Sequence, residues 1–262
     1  MGIVNITPDS FSDGGAYLQP QAALDHALRL IDEGADMLDL GAESTRPGAS
    51  PVSADEELRR LLPVVQRLRQ RTNIPISIDT SQPQVMRCLL AEGVDMINDI
   101  RALTVPGAME ALAESTAHVC LMHMQGQPGH MQASPHYEDV QAEVSDFLGQ
   151  RARACIAAGI DSARLWLDPG FGFGKSVQHN MQLLAHLERL LELGWPLLVG
   201  MSRKRMLSEA LVGGRDIEER LPAGLAAHLW AVERGARIVR VHDVAAMADA
   251  LQLWWSLQER RA

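Results

Sequence analysis

Residues 76–99 read ISIDTSQPQVMRCLLAEGVDMIND, and they hold the unit from which the rest of the chain is built. A short, largely apolar run at 76–79 ends in the carboxylate of Asp79. Pro83 then opens a helical pattern over 83–92, Gly93 closes it, and a second apolar run follows at 96–98. Strands that are apolar on both faces belong to parallel sheets covered by helices. Glycine takes the left-handed backbone that ends a helix, so the stretch reads as strand, helix, stop, strand.

Working outward, comparable runs lie at 2–6, 37–40, 119–122, 165–167, 197–200 and 238–241. Helical patterns fall between them at 21–33, 54–71, 140–158, 181–193 and 221–234, with Gly34, Gly159, Gly194 and Gly235 as further stops. Eight such units predict an α/β fold, a single (β/α)8 TIM barrel with its active site at the C-terminal ends of the strands. A doubly wound open sheet is the alternative, but no switch point in strand order is legible. The 262 residues suit one domain spanning 1–262, and no linker or low-complexity tract divides them.

With 47% hydrophobic and 22% charged residues, the chain has the composition of an ordinary globular protein. Its net charge of −9 argues against nucleic acid or an anionic membrane as partner. An anionic substrate then needs a local basic cluster. Cys88, Cys120 and Cys155 are odd in number and far apart, which excludes a disulfide framework and a structural zinc. MGIVNITPDS lacks the features of a signal peptide and no run reaches about 18 apolar residues, so a cytoplasmic location is expected.

Nearly every expected strand ends in a polar residue: Asn5, Asp39, Asp79, Asn98 with Asp99, His123, Asp168, Arg203 with Lys204, and Arg240 with His242. One such residue is as well explained by a cap or a satisfied core group. Eight together converge on one mouth. Asp79, Asn98 and Asp168 suit a flat ligand with several N–H donors, such as an aminopyrimidinone. Thr45, Arg46, Arg240 and His242 suit an oxyanion-rich group such as a diphosphate. Asn5 is a candidate ligand for Mg²⁺, although a hydrogen bond to the next strand's backbone explains a lone Asn better.

DPGFGFGKS at 168–176 fails as a phosphate loop, because Pro169 stands where the first glycine belongs. Its glycines are expected to let backbone pass close under a planar ligand, with Phe173 stacking on it. The connections at 7–20 and 41–53 have the length and composition of lids. His123, His130 and His136 match no zinc spacing, and His26, His118, His179, His186 and His228 read as structural.

NITPDSFSDGG, GAESTRPGA, ISIDTS, INDI, LMHMQG, LDPGFGFGK, GMSRK and VRVHD, in that order, resemble the dihydropteroate synthases of folate biosynthesis. The match runs along essentially the whole chain. The resemblance implies a transferase that joins a dihydropterin-methyl diphosphate to 4-aminobenzoate. It implies that Asp79, Asn98, Asp168 and Lys204 hold the pterin, walled by Ile100, Met122 and Gly200. Asn5, Thr45, Arg240 and His242 would bind the diphosphate and Mg²⁺, with Arg46 closing over them. Thr45, Pro47, Phe173 and Lys204 would frame the aminobenzoate, its carboxylate reaching a helix starting near Ser202 and Arg205.

Asp79, Asp168, Lys204 and Arg240 are thus the expected catalytic residues. An arylamine is nucleophilic when neutral, which accounts for the lack of any Ser–His–Asp or Cys–His constellation. The resemblance also implies a homodimer and inhibition by sulfonamides; the apolar stretch at 251–257 is compatible with an interface and equally with packing on the barrel. Three departures stand out: Met1 directly precedes the first strand where members usually carry an extra strand or hairpin, Ala42 follows Gly41 where a second glycine is common, and Arg205 replaces a frequent serine. The first implies either a less plugged barrel bottom or a trimmed chain, with the mouth expected to be unaffected in both cases. Two rivals are a pterin-dependent methyltransferase domain and a non-catalytic pterin-binding paralogue. The first has no need of the STRPG loop or the SRK and RVHD cations, and the second should have lost one of Arg46, Lys204, Arg240 or His242.

Overall fold

The computed structural model of the protein describes residues 1–7, 18–43, 52–126, 131 and 134–260. Among them lie eight strands: β1 (Gly2–Asn5), β2 (Leu38–Gly41), β3 (Ile76–Asp79), β4 (Met96–Asp99), β5 (His118–Met122), β6 (Leu165–Asp168), β7 (Leu197–Val199) and β8 (Ala236–Val239). They form one curled parallel sheet in chain order. Val241, just past β8, returns to the first strand: it bridges Gly2, accepts from Ile3 N at 3.0 Å and donates to Met1 O at 3.0 Å.

The helices are α1 (Leu18–Asp32), α2 (Ala54–Arg69), α3 (Pro83–Ala91), α4 (Ala108–Ala113), α5 (Val140–Ala157), α6 (Val177–Ala185), α7 (Arg205–Glu209), α8 (Leu221–Glu233) and α9 (Val244–Gln258). Local chemistry sets their starts. Ser53 caps α2 by accepting from Glu56 N, and Asp55, Glu56 and Glu57 put negative charge on the first turn. Asp139 caps α5 through Gln141 N and Ala142 N.

Alternation along the strands divides the apolar interior in two. Leu38, Leu40, Ile76, Ile78, Ile97, Val119, Leu121, Leu165 and Leu167 face the helices and join the large core. Met96, Cys120 and Leu198 form a separate small cluster with Met1, Met37, Trp166 and Ile238 against it. Two residues further along the same strands, and so on the same face, come Asp39, Asn98, Met122, Asp168, Gly200 and Arg240. The inner face is therefore apolar low down and polar at the mouth.

Three expectations change. The helix expected at 181–193 is α6 followed by a 3-10 helix, Leu187–Leu193. A capping box between Ser176 and His179 starts it early, and His186 leaves the helical path with φ −122° and ψ 35°. β8 lies at 236–239 rather than 238–241, because Leu197 pairs with Ala236 and Leu198 with Ile238, bulging out Arg237. Helices α4 and α7 are too short to show a periodic stripe.

Candidate active site

Arg240 is the hub of the mouth. Its Nε donates to Asp39 Oδ2 at 2.5 Å and its Nη2 to Asp79 Oδ2 at 3.0 Å. Asn98 Nδ2 donates to the same Asp39 Oδ2 at 3.3 Å. Register explains the convergence: Asp79 lies beside Gly41 and Asn98, so Asp39, two residues before Gly41, sits one layer deeper on the same face. A Cβ on Gly41 would come within 3.4 Å of Asp79 Cβ, so the glycine leaves the carboxylate its space.

Burial drives the Asp79 carboxyl up to about 7, against the pull of Arg240. Burial alone would lower Arg240, but Asp39 and Asp79 more than offset it and raise the guanidinium above its ordinary value. Asp168, also buried, accepts from Gly170 N at 2.7 Å. Desolvation raises its pKa, with Lys204 opposing. Lys204 Nζ donates to Phe171 O at 2.6 Å and sits 4.6 Å from the centre of the Phe173 ring. Burial lowers that ammonium to about 8, opposed by Asp168.

Two glycines of 168–176 have a task beyond the expected one. A Cβ on Gly170 would stand 1.9 Å from His123 O, and one on Gly174 would stand 2.2 Å from Gln125 O. The close approach is to the backbone after β5, so these glycines dock one loop on another. Buried Lys175 ties that joint: its Nζ donates to Gly170 O at 3.0 Å, Phe173 O at 3.1 Å and His123 O at 3.3 Å, and lies 2.9 Å from His123 Nδ1. Desolvation drops Lys175 to about 7 with Asp168 opposing, and burial followed by the Lys175 charge drops His123 to about 3.

The structure thus gathers Asp79, Asn98, Asp168, Lys204 and Arg240, with buried Ile100 and Met122 nearby and Phe173 under Lys204. A Cβ on Gly200 would lie 3.6 Å from Arg240 Cβ. Asn5 and His242 line a cavity of about 520 Å³ with Asp25, His26 and Arg29. Ser202 supports His242, its Oγ accepting His242 N at 3.2 Å. Arg203, at φ +60°, pairs with Asp243 at 2.6 Å.

Arg205 does not join the site: its side chain is 81% exposed and pairs with Glu209, an i,i+4 neighbour on the short α7. Its expected role at the carboxylate is therefore carried by no contact among the described residues, and α7, which it opens, runs only from Arg205 to Glu209. Thr45, Arg46, Pro47 and His130 lie outside the described residues. Asp99 faces away, accepting Arg101 N and Leu103 N at 2.8 Å each to hold a turn. Sequence reasoning left Asp39 and Lys175 without roles. The inward parity of Asp39 with Gly41, and a lysine inside a glycine run after a strand, were the available signals.

The sequence model of the family of pterin binding enzymes matches residues 1–242. Among curated relatives, the dihydropteroate synthase of Neisseria meningitidis serogroup C is 54% identical, over 98% of this chain and 92% of its own. The dihydropteroate synthase of Xanthomonas albilineans, solved with 4-aminobenzoic acid, is 55% identical with a TM-score of 0.93, covering 98% of this chain and 92% of that one. The Yersinia pestis dihydropteroate synthase, solved as a sulfonamide drug complex, is 47% identical with a TM-score of 0.92, over 99% and 94%. The chain belongs to the pterin binding enzymes and, within them, to the dihydropteroate synthases.

Proposed function

We propose that this chain condenses (7,8-dihydropterin-6-yl)methyl diphosphate with 4-aminobenzoate, releasing 7,8-dihydropteroate and diphosphate in folate biosynthesis. The observation that carries the reading is the convergence of half-buried Asp79 and buried Asn98 and Asp168, acceptors from β3, β4 and β6, on one slot flanked by Arg240 and Lys204. An aminopyrimidinone edge presents N–H donors to such a set. Those donors favour the charged carboxylates and draw both pKa values back down on binding.

Asn5 and His242 share a cavity with Asp25, His26 and Arg29 of α1, and there the diphosphate would lie. Among the described residues no three His, Cys, Asp or Glu side chains gather into a metal cage. An amide oxygen on Asn5 fits Mg²⁺, which takes few protein ligands and is completed by phosphate oxygens and water. Bound there, the ion would neutralise charge on the leaving group.

Diphosphate departs as the reduced pterin donates electrons toward its exocyclic carbon. His242 would stabilise the leaving oxygens, and Asp79 and Asp168 would offset the cation left behind. Lys204, held by Phe171 O above Phe173, frames the arylamine that attacks. Arg46, Thr45 and Pro47 would complete the diphosphate and aminobenzoate ends.

Closure into a complete (β/α)8 barrel is supported by the Val241 bonds to Met1 and Ile3. A single domain spanning the chain is supported by one large core drawn from β1 through α9. Exposed Trp230, Leu253, Trp255 and Leu257 on α8 and α9 support a homodimer. Among the described residues no helix is long and apolar enough to cross a membrane. Sulfonamides, as mimics of 4-aminobenzoate, should compete for its end of the site.

The test is diphosphate release that requires both substrates together. Methyl transfer from a reduced pterin, or pterin binding without turnover, would overturn the reading.

A further inference from the structure

Asp39 is a fully buried carboxylate that the reaction chemistry does not call for. Its Oδ2 takes two donors, Arg240 Nε and Asn98 Nδ2, while its Oδ1 is buried and has no hydrogen-bond partner among the described residues. A half-satisfied buried carboxylate is costly to stability, and a neutral polar side chain would fill the position with less strain on the fold. Its value must lie in what it does to its two donors.

A carboxylate only accepts, whereas an amide has one donating end and one accepting end. With Asp39 beneath it, Asn98 has one favourable orientation: Nδ2 toward Asp39 and Oδ1 away. Asn98 Oδ1 is likewise buried and without a partner among the described residues. Turned the other way, Oδ1 would face the Asp39 oxygens and the site would present donors.

We infer that Asp39 is a positioning residue that locks the Asn98 amide as an acceptor and holds Arg240, so that the slot selects a heterocycle by its N–H donors. The inference rests on the pterin reading of that slot. Asp39 thereby contributes to recognition without touching the ligand.

The test is Asp39→Asn, which keeps the shape and removes the acceptor-only character. Calorimetry with a pterin alcohol lacking diphosphate should show affinity reduced about tenfold. A 2,4-dioxopteridine, carrying an oxygen where pterin carries its amino group, should lose much less, so discrimination between the two shrinks. Adding Asn98→Ala to Asp39→Asn should cost little beyond either change alone. Unchanged affinity, unchanged discrimination or full additivity in Asp39→Asn would overturn the inference.

Should Asp39→Asn fail to fold, side-chain amide exchange in the wild-type protein decides. Protected Asn98 Nδ2 protons without ligand support the lock, and freely exchanging ones overturn it. If Asn98→Ala and Asp168→Asn weaken pterin binding while Asp39→Asn does not, only this inference falls. If all three bind as wild type, the pterin reading falls with it.

Discussion

Two cations, largely buried Arg240 and fully enclosed Lys175, are neutralised by the protein in opposite ways. Arg240 is met by two carboxylates, Asp39 and Asp79. Lys175 is met by three backbone carbonyls and one ring nitrogen, with no carboxylate bonded to it. The carboxylates raise the pKa of the guanidinium, while burial without such a partner lowers the ammonium to about 7. A permanent charge suits the side of the slot proposed to meet the pterin and its diphosphate. A lysine that binds carbonyls whether or not it is fully charged suits a joint whose task is to hold the 168–176 loop on the segment after β5.

The largest effect should follow from breaking the first arrangement. Arg240→Met leaves Asp39 and Asp79 buried together without a cation, at a cost of about 3–5 kcal/mol. Urea melts should show it, with turnover abolished. A loss below about 1 kcal/mol would mean that the two acids are not held apart by Arg240.

Lys175→Met leaves carbonyl groups and His123 without their donor, at about 1–3 kcal/mol. Because the same loop carries Phe171 O and Phe173, the Michaelis constant for aminobenzoate should rise more than that for the pterin substrate. An equal rise in both would place the joint outside aminobenzoate recognition.

Asp79→Asn and Asp168→Asn should each weaken pterin binding by about 1–3 kcal/mol, roughly ten- to a hundredfold, since an amide offers a donor where an acceptor is needed. Calorimetry with the pterin alcohol measures this, and unchanged affinity in both would sink the slot assignment.

Stability against pH should separate the two regions by sign. Asp79 is raised from 3.8 to about 7, so its contribution is present at low pH and fades as pH rises through about 7. Lys175 is lowered from 10.5 to about 7, so its contribution is present at high pH and fades as pH falls through about 7. Relative to wild type, Asp79→Asn should therefore remove a decline between about pH 4 and 7, and Lys175→Met a rise between about pH 7 and 10. Matching slopes in the two variants would contradict the assignments.

The smallest effect concerns Arg205. Because it is exposed and paired with Glu209, Arg205→Ser should shift stability by no more than about 0.5 kcal/mol. The Michaelis constant for aminobenzoate should stay put. A several-fold rise would restore the contact that the sequence suggested.

Much of this molecule was legible before any coordinates. Apolar runs ending in Asp79, Asn98 and Asp168, separated by helical patterns and glycine stops, named the strands, their parallel order and the face on which chemistry lies. These are local signals, carried by periodicity and by residues whose backbone preferences do not depend on distant partners. What only the tertiary structure decided depends on pairs far apart in sequence. Arg240 meets Asp39 across 201 positions and Asp79 across 161, and no spacing rule connects them. The bulge at Arg237 arises from the register against β7. Gly170 and Gly174 face His123 and Gln125 because of how two loops dock, and Arg205 turns to Glu209 because that partner lies one helical turn away. A carboxylate or a glycine shows in its own residue type that it has a task, but only the neighbour brought by folding shows which task it is.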